Sequence, residues 1–161
     1  MSHEETLRIT VTVNGERVTR QVPVRQHLTD FLRTELGLTG SHIGCEHGIC
    51  GACSVRLDAA VVRGCLLLAV QADGADVVTI EGLTDSEEIA DLQQRFVERN
   101  ALQCGYCTPG MLVTAAELLR QRRPASRDEI RAFLSGNYCR CTGYHAIVDA
   151  VEATLNERLR Q

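Results

Sequence analysis

Cys45-Glu46-His47-Gly48-Ile49-Cys50-Gly51-Ala52-Cys53 gathers three thiols into nine residues, and this run constrains the fold more than any other part of the chain. It spells C-x4-C-x2-C, and Cys65 supplies a fourth thiol twelve residues on. That is the plant-type spacing for a 2Fe–2S cluster. A cluster held by four thiolates is anionic and becomes more so on reduction, so backbone N–H groups in a tight loop must offset the charge. Gly44, Gly48 and Gly51 let the chain wrap the sulfurs closely. The fourth ligand is expected from the neighbouring strand, since Cys65 follows Val61-Val62. Zinc sites instead use C-x2-C pairs parted by a longer loop.

A second set of four cysteines lies downstream. Cys104-Gly105-Tyr106-Cys107 is followed, thirty-two residues after Cys107, by Cys139-Arg140-Cys141. By spacing alone a second cluster and a zinc site are equally open. Cys107 falls at a helix N-terminus, where the dipole should favour thiolate. Gly136-Asn137 and Thr142-Gly143 give turn-forming freedom around the other pair. His3, His27, His42, His47 and His145 read as loop, surface or core residues, and no C-x-x-H completes a Rieske pattern.

The remaining composition agrees with a redox or metal role inside a reducing compartment. Eight cysteines in 161 residues make about 5% of the chain, below the roughly 8–10% of disulfide scaffolds. The net charge is −4 and all seventeen cations are Arg, with no basic block of the kind that binds nucleic acid. The start, Met1-Ser2-His3-Glu4-Glu5, is polar, with no apolar run of a secretory signal behind it. The apolar stretch Cys65–Val70 is too short to span a bilayer. A cytoplasmic protein without membrane insertion is expected.

Strand periodicity fills the first half. Leu7, Ile9, Val11 and Val13 alternate with polar residues, Asn14-Gly15 signals a type I′ hairpin, and Val18, Val22 and Val24 return. Leu28, Phe31, Leu32 and Leu36 have helical spacing, with Thr29 or Asp30 near the helix start. Short strands are expected at 54–57, 60–63 and 77–80. Helical periodicity takes over after Gly82. One helix enters at Asp85–Glu88 with Ile89, Leu92, Phe96 and Val97 on one face. A second is capped by Thr108-Pro109 and carries Met111, Leu112, Ala115, Leu118 and Leu119. A third follows the Ser126–Glu129 capping box, and a last carries Ile147, Val148, Val151, Leu155 and Leu159. The expected fold is α+β, a mixed β domain over residues 1–81 followed by a four-helix bundle over residues 82–161.

The two motifs in this order resemble the iron–sulfur subunit of the xanthine oxidase family of molybdenum hydroxylases. Residues 43–53, Gln103–Gly110 and Gly136–Tyr144 carry the resemblance, which covers nearly the whole chain. It implies a β-grasp ferredoxin domain before the helical bundle. Cys45, Cys50, Cys53 and Cys65 would hold one 2Fe–2S cluster, and Cys104, Cys107, Cys139 and Cys141 the other. Gln103 and Cys141 would approach a molybdenum–pterin cofactor in a large partner subunit. Electrons would pass from the pterin site through the helical-domain cluster to the ferredoxin-domain cluster. The acceptor would be FAD, in a medium subunit where one is present, or another acceptor, within a hetero-oligomer such as a dimer of heterotrimers. The chain itself would have no catalytic residue and no turnover alone. A zinc-stabilised binding module, a free-standing ferredoxin and a redox regulator are the rival readings.

Overall fold

Asn14 and Gly15 both take positive φ, 51° and 82°, the geometry a two-residue hairpin turn demands. In the computed structural model, which describes residues 5–161, they join β1 (Thr6–Val13) to β2 (Glu16–Pro23) in unbroken antiparallel register. Residues 1–4, with His3 and most of the polar start, lie outside the described residues. β3 (Ser54–Leu57) and β4 (Ala60–Arg63) form a second antiparallel pair. β5 (Asp76–Val78) knits the pairs together, parallel to β1 and antiparallel to β3. The strand order is β2-β1-β5-β3-β4.

The helix expected at Leu28 packs on this sheet. α1 (Leu28–Asp30) runs directly into a π-helical turn, Phe31–Glu35. Leu28, Phe31 and Leu32 are fully buried against Ile9, Val11, Val55 and Val77. The helix starts beside Thr29 and Asp30, as expected. His27 is the N-cap, and its Nδ1 accepts the N–H of Asp30 at 3.2 Å. Thr29, in the first turn, is buried. Leu7, expected on the core face of β1, is 48% exposed.

The passage to helix begins earlier than the sequence suggests. α2 (Ile80–Asp85) starts where a strand was expected to end. Its approach is fixed by Asn14, whose Oδ1 accepts the N–H of Thr79 at 2.9 Å. α3 (Ala90–Glu98) then starts later than the expected entry at Asp85–Glu88. Glu87 adopts φ 58° there, a left-handed residue that no helix continues through. α4 (Thr108–Arg120), α5 (Arg127–Leu134) and α6 (His145–Arg158) complete the bundle. Ser126 and Glu129 form the expected capping box on α5.

α4 is the bundle's centre. Met111, Leu118 and Leu119 are buried among Leu92, Phe96, Ile130, Leu134, Ile147 and Val151. Two residues assigned to apolar faces fall outside this core. Val97 is 70% exposed, and Leu159 lies beyond the end of α6. The two halves are packed together: α4 lies against β3 and β4, and Arg56 of β3 makes a bidentate pair with Glu88 at 2.8 and 3.0 Å. Among the described residues no helix is long and apolar enough to cross a membrane.

Candidate cluster-binding sites

The first cysteine loop curls through three left-handed residues, Glu46, Gly48 and Gly51. The curl turns backbone donors inward, so the N–H groups of Ile49 and Cys50 both donate to Cys45 Sγ at 3.3 Å. The three glycines expected to permit close wrapping all meet neighbours. A Cβ at Gly44 would lie 2.9 Å from Cys50 Sγ, one at Gly48 2.3 Å from Leu66, and one at Gly51 2.6 Å from Asn137 Nδ2. Cys65 arrives from a single 3-10 turn, Gly64–Leu66, just past β4 rather than from the strand itself. The N–H of Gly64 donates to the carbonyl of Cys53 at 3.1 Å, which brings these two cysteines together.

The thiols of this loop differ in acidity. Desolvation raises the Cys45 thiol, but the backbone N–H groups of Cys50, His47 and Ile49 outweigh it and bring it down to about 6. Burial, then the neighbouring Cys53 thiol, push Cys65 up to about 11. Preformed backbone donors therefore converge on Cys45, where they stabilise negative charge without reorganisation.

The second site joins two distant arms. Cys107 is the N-cap of α4, one position before the expected Thr108. Its thiol is not lowered by the helix terminus as the sequence suggested: burial, then the Cys139 thiol, push it up to about 12. The other arm is held by Tyr144, whose phenol accepts the N–H of Cys139 at 2.8 Å and donates to the carbonyl of Asn137 at 3.3 Å. Thr142 N–H donates to Cys139 Sγ at 3.3 Å. Although burial opposes it, these Thr142 bonds draw the Cys139 thiol below its ordinary value.

All eight cysteines are free thiols. Four thiols titrate under the influence of a neighbouring thiol: Cys45 beside Cys50, Cys65 beside Cys53, Cys107 beside Cys139 and Cys141 beside Cys104. Two pairs per site are the donor set of a two-iron cluster, in which each iron takes two thiolates and shares bridging sulfides. The donors therefore fit the expected group. Exposure is graded: Cys53 and Cys65 are buried, whereas Cys104 and Cys141 are exposed. Gln103 and Cys141, the two expected pterin contacts, are both exposed.

Asn137, read from sequence only as a turn residue, is 1% exposed and links both sites. Its Nδ2 donates to the carbonyl of Gly51 at 3.1 Å, and its Oδ1 accepts from Thr114 at 3.0 Å and Arg63 at 3.4 Å. Arg63 also donates to the carbonyl of Gly136 at 2.7 Å. The sequence held one signal for this role, the polar Asn set between Gly136 and the C-x-C pair. Tyr144 gave none.

Comparison with known proteins follows the same division. Residues 11–79 match the 2Fe-2S iron-sulfur cluster binding domain, and residues 79–152 match the 2Fe-2S binding domain. The chain is similar to caffeine dehydrogenase subunit gamma of Pseudomonas sp. strain CBB1, at 49% identity over 148 residues, covering 90% of this chain and 89% of that one. It is similar to the nicotine 6-hydroxylase small subunit of Paenarthrobacter nicotinovorans, at 48% identity over 150 residues, covering 93% and 90%. The crystal structure of quinoline 2-oxidoreductase from Pseudomonas putida 86 superposes with a TM-score of 0.90 at 48% identity, over 96% of this chain and 97% of that one.

Proposed function

Because the chain belongs to the iron–sulfur subunits of the xanthine oxidase family of molybdenum hydroxylases, we propose a specific role for each of its cysteine pairs. Cys45 with Cys50 and Cys53 with Cys65 hold the two irons of the first cluster. Cys104 with Cys141 and Cys107 with Cys139 hold those of the second. The single observation that carries this reading is that all eight cysteines are free thiols, four in each of the two segments that match 2Fe-2S binding domains. When bound, each cluster supplies a site that takes up and releases one electron. The chain is thereby the electron-transfer subunit of a multi-subunit oxidoreductase whose molybdenum–pterin and FAD reside in partner subunits.

The protein's own residues give the relay its direction. The exposed Cys104–Cys141 pair, with Gln103 beside it, faces the large subunit's pterin. The Cys107–Cys139 pair lies inward, and Cys139 is covalently next to Tyr138, whose N–H donates to the carbonyl of Cys50. Around the first loop, Ile49 and Leu66 are 49% and 62% exposed. An exposed apolar rim beside the first loop suits burial by a partner, and we assign it to the flavin subunit. We assign one cluster to each half of the chain, with the boundary just before α2, where the two family matches meet at residue 79, and the assembled enzyme to the cytoplasm.

Gln103→Ala in the assembled enzyme tests the orientation. An amide side chain satisfies polar pterin edges excluded from water. The variant is expected to keep both clusters while retaining less pterin or reducing the clusters more slowly in a single turnover. Unchanged cofactor content and unchanged cluster reduction would remove Gln103 from the pterin face.

A further inference from the structure

We propose that His42 and Tyr106 form a clasp that ties the C-x-x-C arm of the second site to the loop of the first, and so sets the coupling between the two clusters. The proposal rests on the ligand reading above and extends it to two side chains that bind no iron. His42 stands three residues before Cys45, and Tyr106 stands between Cys104 and Cys107. Their rings stack with centroids 4.5 Å apart and planes 20° from parallel.

The contact is reciprocal. His42 Nδ1 lies 2.7 Å from the carbonyl of Tyr106, and the Tyr106 phenol donates to the carbonyl of Ile43 at 2.6 Å. A carbonyl only accepts, so His42 carries its proton on Nδ1 in this contact. The backbone N–H of His42 donates to the carbonyl of Ala52, which anchors the clasp to the first loop at both ends.

The second site therefore has two arms and a separate tie for each. The C-x-C arm is held by Tyr138 and Asn137 on Cys50 and Gly51. The C-x-x-C arm reaches the first loop through His42 and Tyr106. Cutting the clasp lets Cys104 and the turn before α4 shift relative to Cys45, while α4, packed on Gly51 at Gly110, and the other arm stay fixed. Function that depends on fixed spacing is sensitive to displacements of about 1 Å.

The test uses the full chain with both clusters assembled. Three variants are compared: His42→Ala, His42→Asn, whose amide Nδ2 can replace the Nδ1–H donor, and Tyr106→Phe, which keeps the stack but loses the bond to Ile43. Two quantities are read: the spin–spin splitting between the reduced clusters in EPR, and the rate at which an electron equilibrates between them after photoreduction. His42→Ala is expected to keep full iron, to narrow the splitting and to equilibrate more slowly than wild type. His42→Asn should recover most of both, and Tyr106→Phe should fall between. A His42→Ala protein with full iron and unchanged splitting and rate overturns the clasp, even if it melts earlier. Should His42→Ala fail to hold iron, Tyr106→Phe decides, and unchanged splitting there overturns the clasp equally. Failure of the wild-type chain to show two cluster signals would instead strike the ligand reading itself.

Discussion

The backbone N–H of Tyr138 donates to the carbonyl of Cys50 at 2.8 Å, so the loops of the two sites share a peptide hydrogen bond. Tyr138 precedes Cys139, and the bond therefore joins a cysteine of one site to the residue beside a cysteine of the other. The side chain of the preceding residue, Asn137, reinforces it through Gly51, Thr114 and Arg63. The halves of the chain are built to hold two redox sites at a fixed relation, which is what a relay requires and a lone ferredoxin does not.

Asn137→Ala should weaken that relation more than any surface change. It removes one donor and one acceptor in a site that water does not reach, leaving the Gly51 carbonyl and the Thr114 hydroxyl with fewer partners. The expected destabilisation is about 1–3 kcal/mol, read as a lower midpoint in denaturant unfolding of the loaded protein. A midpoint within error of wild type would mean that the loops are held by packing alone.

Gly110→Ala probes the seam between α4 and the first loop. A Cβ at Gly110 would lie 2.2 Å from the carbonyl oxygen of Gly51, and backbone on both sides cannot yield cheaply. Overpacking of this kind costs about 1–3 kcal/mol. The variant should lose absorbance and iron from the first site before the second, as followed by visible circular dichroism during mild heating.

The Arg56–Glu88 pair should make stability depend on acid. Hydrogen bonding to the Arg56 guanidinium holds the Glu88 carboxyl below its ordinary value, against the opposing effect of burial. A depressed folded value means that the contribution is complete above the unfolded pKa, about 4.3, and is lost as pH falls through the folded one. Glu88→Gln should melt below wild type at pH 7, and the gap should close below about pH 4. The pair is partly exposed, so the gap is expected to be small. A gap that persists undiminished in acid would show that Glu88 acts through shape rather than charge.

Much of this architecture is legible in local sequence because its determinants are local. Asn14-Gly15 dictates a positive-φ turn, Ser126 and Glu129 satisfy each other's backbone, and the cysteine spacings are short enough to read directly. The rest depends on what comes together across the chain. His27 as cap, the π turn after Asp30 and the left-handed Glu87 that delays α3 follow from packing that periodicity does not record. The Cys107 thiol shows the same limit, since a helix terminus predicts acidity but burial beside Cys139 decides otherwise. Asn137, Tyr144 and the His42–Tyr106 contact bind no iron in this account, so no ligand spacing marks them. Their importance lies in joining segments that sequence separates.

The most direct measurement is the metal and sulfide content of the purified chain, together with EPR of its reduced form. Two complete sets of thiol pairs predict about four iron and about four acid-labile sulfides per chain, with two distinguishable signals. Cys45→Ser should alter one signal and leave the other. Stoichiometric zinc without sulfide in a colourless protein would contradict the account.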